Sequence, residues 1–117
     1  MAIANTRLTT TGLTTVYTSS GNNAITTIIV CNTGTVDLTN ETTRASDLDL
    51  YLVPSSGTAT TATQIISKLT IPAGETVFFS EERVVLGSGD TVQAQCSSTG
   101  GGGVGGLLTI TVSTLPV

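Results

Sequence analysis

Apolar and polar residues alternate with a period of two along most of this chain, the spacing of half-buried antiparallel strands. The stretch from Gln64 to Cys96, QIISKLTIPAGETVFFSEERVVLGSGDTVQAQC, organises the rest. It predicts strands at 64–71, 75–79, 83–86 and 91–96. Val77 and Phe79 share one face of the second. In the last, Val92, Ala94 and Cys96 fall opposite Thr91, Gln93 and Gln95. The segments IPAGET and LGSGDT carry the Pro, Gly and Asp residues that enter turns at low cost.

The pattern extends in both directions. Residues 13–18 (LTTVYT) predict a strand that ends at the turn cluster SSGNN. Residues 24–32 (AITTIIVCN) are apolar on both faces at Ile28–Cys31, which predicts a central strand. A polar connection over 33–46 includes a short predicted strand at 36–39. In 47–54 (DLDLYLVP), Leu48, Leu50 and Leu52 point one way and Asp47, Asp49 and Tyr51 the other. SSGTATTAT reads as a loop, with a turn of helix at 61–65 as its alternative. After the glycine-rich loop 97–106, a strand at 107–115 turns Leu108, Ile110 and Val112 inward.

Residues 1–11 lack this periodicity and predict an extended arm, leaving a domain at 12–117. The expected fold is all-β: one β-sandwich or barrel-like domain of about seven to eight antiparallel strands with an extended N-terminal arm.

Composition narrows the function. Only 10% of the 117 residues are charged, against roughly 25% in an ordinary domain. About one residue in five is threonine, and β-branched side chains suit pleated strands. A weakly charged, threonine-rich surface suits a subunit held in an assembly. The net charge of -4, with Arg7, Arg44, Lys68 and Arg83 scattered, argues against a nucleic-acid surface. No apolar run is long enough for a membrane-spanning helix, and MAIANTRLTT carries no signal-peptide pattern, so synthesis in a cytoplasm is expected.

Candidate chemistry is sparse. The chain has no histidine, which removes the usual general base and the commonest zinc ligand. Two cysteines, Cys31 and Cys96, fall short of a four-thiolate zinc site. Both read as buried thiols in apolar strands, with a mutual disulfide left open by spacing alone. Asp47 and Asp49 lie on an outward strand face, and Glu81 and Glu82 sit at a turn beside Arg83, so solvated acids are the plainest reading. Asp37, Glu41 and Asp90 sit in loops, where calcium ligands occur, without the spacing of a calcium-binding loop. Gly100–Gly106 leads into a strand with no lysine nearby, unlike a phosphate loop. Asn40-Glu41-Thr42 matches a glycosylation acceptor and reads as coincidence in a cytoplasmic product. No enzyme, cofactor or metal site is expected. Tyr51 is the one aromatic placed on a polar strand face, a candidate contact residue.

In order, VYTSSGNNAITTIIVCNTGT, LYLVPSSG and KLTIPAGETVFFSEERVVLGSGDTVQAQCSS, followed by a terminal strand, resemble small all-β virion proteins of tailed bacteriophages. The likeness begins at about Val16. It departs at SSGNN, where that group leads one to expect a proline-glycine turn. The resemblance implies a non-enzymatic particle component located in the virion: a capsid decoration (cement) protein, forming homo-oligomers and contacting the major capsid protein or other virion proteins, without nucleic acid or membrane. The alternatives are a neck, tail or fibre-associated component and, from a different class, a glycan-binding sandwich module. Under this reading the arm and an outward face carry the contacts, through Ile3, Asn5, Arg7, Leu8 and Tyr51, with the arm adding a strand to a neighbour's sheet.

Overall fold

β3 (Asn23–Asn32) is the longest strand and lies centrally in its sheet, because its residues are apolar on both faces. A computed structural model describes residues 2–34, 45–79, 84–97 and 108–117. Nine strands are formed there, all with antiparallel neighbours, and no helix. Besides β3 they are β1 (Ala2–Arg7), β2 (Thr14–Thr18), β4 (Ser46–Val53), β5 (Gln64–Ile71), β6 (Thr76–Phe79), β7 (Val84–Leu86), β8 (Thr91–Cys96) and β9 (Leu108–Pro116). The predicted strand at 36–39 lies outside the described residues, and residues 61–63 form a turn rather than a helix.

A five-stranded sheet runs β1-β9-β3-β6, with β7 also pairing β3; a four-stranded sheet runs β2-β8-β4-β5. β6 and β7 pair with successive stretches of β3, Ile28–Cys31 and Asn23–Ile25. Taken as one interrupted strand, they give two four-stranded sheets in the order of a jelly roll, the sandwich made of two Greek keys. The sandwich expectation is therefore met, and the strand order is a finding of the structure.

Alternation places one side of every strand in the core. Leu48 and Leu50 of β4, Val92 and Ala94 of β8, Val30 of β3 and Leu108, Ile110 and Val112 of β9 are fully buried. Burying each such side chain stabilises the fold by about 1.5–3 kcal/mol. Polar residues tie the two layers together. Asn32 is buried at the end of β3, and its Nδ2 donates to the Ile71 carbonyl on the opposite sheet at 2.8 Å.

Two expectations are corrected. Residues 2–7 are extended, as expected, but β1 pairs along its whole length with β9 of the same chain, so the arm belongs to the sandwich. The inward positions of β1 include Ala4 and Thr6, too small and polar to carry a core signal. Leu8 follows them with no exposed surface and joins the core cluster. Second, only Cys96 is buried. Cys31 follows inward-facing Val30, so strand alternation turns it outward, and neither cysteine is in a disulfide. The expected alternation of β4 holds: Leu48, Leu50 and Leu52 stand opposite inward Cys96, Ala94 and Val92 of β8, with Leu52 half-buried against the core. The irregular strand is β5, whose register slips twice against β4, between Leu48 and Leu50 and between Leu50 and Tyr51.

Candidate functional site: the outer face of the five-stranded sheet

The register of the five-stranded sheet fixes what its outer face presents. Inward Ile110 and Val112 of β9 set the phase, so Thr109, Thr111 and Ser113 point out. Opposite them stand Arg7, Asn5 and Ile3 of β1 on one side, and Cys31, Ile29 and Thr27 of β3 on the other. Phe78 of β6 lies beside Ile29, and Thr76 beside Cys31. Near the other end, Val85 of β7 and Leu115 of β9 flank Ala24.

The result is a broad surface of threonine and apolar side chains. Phe78 is 63% exposed, Ile3 65% and Val85 63%, so large hydrophobic groups stand in water here. Arg7 is the one charge among the described residues of the five strands. Short hydrogen bonds order the polar members. Thr111 donates to Asn5 Oδ1 at 2.7 Å, Arg7 Nη2 donates to Thr33 Oγ1 at 3.0 Å, and Thr26 donates to Ser113 Oγ at 3.0 Å. Of the seven exposed large hydrophobic residues among the described ones, Ile3, Phe78, Val85 and Leu115 belong to this sheet, whereas Ile65 lies on β5 of the other and Leu13 just before β2.

Of the five predicted contact residues, the structure gathers three. Ile3, Asn5 and Arg7 share this face. Leu8 is corrected: it is buried in the core and cannot touch a partner in the folded chain. Tyr51 is half-buried on the outer face of the other sheet, opposite Gln93 and Gln64. Sequence reasoning missed Phe78, Ile29, Val85 and Leu115. The signal for Phe78 was present, since placing Val77 and Phe79 inward sends Phe78 out.

The acids weighed as chemistry are engaged in local structure. Asp90 accepts from the Gly87 N–H through Oδ2 and from the Ser55 N–H through Oδ1, both at 2.8 Å. Its backbone carbonyl accepts from the Ser19 N–H at 2.9 Å. The residue thus clasps the β2–β3, β4–β5 and β7–β8 loops at one end of the sandwich. The clasp requires Gly89: φ is 89°, and a Cβ there would lie 2.6 Å from Ser55 Oγ. Asp49 Oδ1 accepts from the Lys68 N–H at 2.8 Å and from Gln64 Nε2 at 3.1 Å, which holds the bulge where Lys68 takes a φ of 51°. Asp47 Oδ1 accepts from the Thr70 hydroxyl at 2.7 Å. No group of three His, Cys, Asp or Glu residues able to hold a metal occurs among the described residues. Asp37, Glu41, Glu81, Glu82, the triplet at 40–42 and the glycines at 100–106 lie outside them.

No protein-family model matches the chain, and no curated protein matches it in sequence.

Proposed function

We propose that this protein is a non-enzymatic virion component that decorates a capsid, seated through the outer face of its five-stranded sheet. The observation carrying the proposal is that face, which displays Ile3, Ile29, Phe78, Val85 and Leu115 among threonines with a single charge. Contacts of this kind are insensitive to salt, whereas exposed ion pairs weaken as ionic strength rises. Two further points support the reading. The jelly roll is an architecture of viral capsid proteins as well as of lectins, an analogy at the level of fold. The blocks from Val16 onward also resemble phage virion proteins.

The test is to mix purified protein with undecorated capsids and, separately, with isolated tails of the same particle. Saturable binding to capsids, with a raised temperature of capsid disruption, is the expected outcome. Binding confined to tails assigns the neck or tail role instead, and binding to neither contradicts the proposal. Exposed Phe78 gives a glycan-binding reading its one point of support, since sugars stack on aromatic platforms. Binding of the isolated protein to a glycan array, abolished by Phe78→Ser, would favour that reading.

A further inference from the structure

A sandwich of two open sheets has four edges, and three of these are disrupted. β5 is bulged twice and carries Lys68. β2 shifts register around Val16. The β6–β7 edge is divided between two strands that pair with separate stretches of β3. Bulges, charges and short edge strands are the devices that prevent edge-to-edge pairing. β1 has neither bulge nor break, and its one charge, Arg7, stands at its end. Its six residues pair with β9 in unbroken register, without proline or bulge, and no described strand lies on its other side.

The direction of its free groups follows from one hydrogen bond. Leu8 N–H donates to the Leu108 carbonyl at 2.9 Å, one step beyond the Arg7–Thr109 pair. Antiparallel pairs alternate between bonded and non-bonded, so Thr6 and Ala4 also bond across to β9. Ile3, Asn5 and Arg7 therefore turn both N–H and C=O toward the open edge.

We propose that this edge joins a second copy of the chain, β1 against β1 antiparallel about a two-fold axis at Asn5. The three outward-directed residues are symmetric about Asn5. A two-fold there sets Asn5 against the partner's Asn5 and Ile3 against the partner's Arg7, so every free N–H and C=O of the three finds a mate. It also keeps the two Arg7 guanidinium groups apart, where a register centred on Arg7 would oppose like charges. Closed two-fold pairing ends at two copies, whereas an unpaired edge invites open-ended association. The joined sheets would present one continuous outer face, doubling the surface described above. The inference rests on edge geometry alone and stands whether or not the protein binds a capsid.

Sedimentation equilibrium and light scattering from micromolar to about 1 mM protein test it, the range expected for a small edge interface. A reversible monomer–dimer equilibrium is expected. Asn5→Pro deletes an N–H that points away from β9, so it weakens the dimer about tenfold or more while β1 stays in the sheet. Asn5→Lys opposes two ammonium groups on the axis and acts in the same direction, with an unchanged circular dichroism spectrum. In a Cys31→Ser background, Asn5→Cys places two thiols within disulfide reach, since bonded antiparallel pairs have Cα atoms about 5.5 Å apart. That variant is expected to form a covalent dimer on mild oxidation, and Ile3→Cys, displaced from its own copy by about 13 Å along the strand, is not. A monomer throughout the range, a dimer indifferent to Asn5→Lys, or crosslinking through Ile3→Cys in place of Asn5→Cys would overturn the proposal.

Discussion

The two outer faces of this sandwich share a fold and differ in almost everything a partner would meet. The five-stranded face is evenly registered between β1 and β9, threonine-rich and apolar, with one arginine. The four-stranded face carries Asp47, Asp49, Gln93, Gln95, Tyr51 and Gln64, and its strands are bulged. On that second face polar groups pair with one another: Asp49 holds the β5 bulge, Asp47 accepts a hydrogen bond from the Thr70 hydroxyl, and Gln93 Nε2 donates to Thr91 Oγ1 at 3.0 Å. On the first, Phe78, Ile3 and Val85 are each exposed over most of their surface. The lesson is that one layer pairs its outward polar groups with one another while the other leaves large apolar groups exposed, the feature on which the proposed contact surface rests.

The largest effect is expected where β1 is anchored. Leu8→Ala removes a fully buried side chain that pins the end of β1, and a loss of about 2–5 kcal/mol in urea unfolding is expected. A loss below about 1 kcal/mol would mean that β1 contributes little to the sandwich and that the first face is less fixed than described. Next comes the clasp at the loop end. Asp90→Ala leaves the Gly87 and Ser55 N–H groups without their acceptor and is expected to cost about 1–3 kcal/mol, read by the same titration. Asp49→Ala is expected to cost about 1 kcal/mol, because its contacts are partly solvated, and to speed amide exchange at Lys68 ahead of the rest of β5. If Lys68 exchange were unchanged, the carboxylate would not be what holds the bulge.

Much of this contrast was legible in the sequence, for a physical reason. Strands with one buried face write their burial as alternation, so β5 and β8 begin and end at the expected residues, and Leu108, Ile110 and Val112 of β9 point inward as expected. Asp47 and Asp49 could be placed on an outer face by the same rule. What failed depended on contacts distant in sequence. β1 pairs with β9 from the opposite end of the chain, and nothing local distinguishes it from a loose arm. The two bulges of β5 appear only in its pairing with β4, which the alternation of either strand does not show. Leu8 looked like part of a polar segment because its partner Leu108, which also joins the core, lies about a hundred residues away. The contact face was half visible: Ile3, Asn5 and Arg7 were singled out, but Tyr51 was grouped with them because the assignment of strands to sheets is not written in any one strand.

The claim that the five-stranded face is the working surface is tested most directly by one pair of variants. Phe78→Ser and Tyr51→Ser each remove one aromatic from one outer face. Phe78 is 63% exposed, so its loss should change stability by no more than about 0.5 kcal/mol. Binding isotherms of both variants on undecorated capsids, beside the unaltered protein, give the comparison. The account predicts that Phe78→Ser loses binding about tenfold or more, as expected of a buried aromatic anchor, while Tyr51→Ser binds as the parent does. Retained binding by Phe78→Ser together with lost binding by Tyr51→Ser would contradict it and move the working surface to the four-stranded sheet.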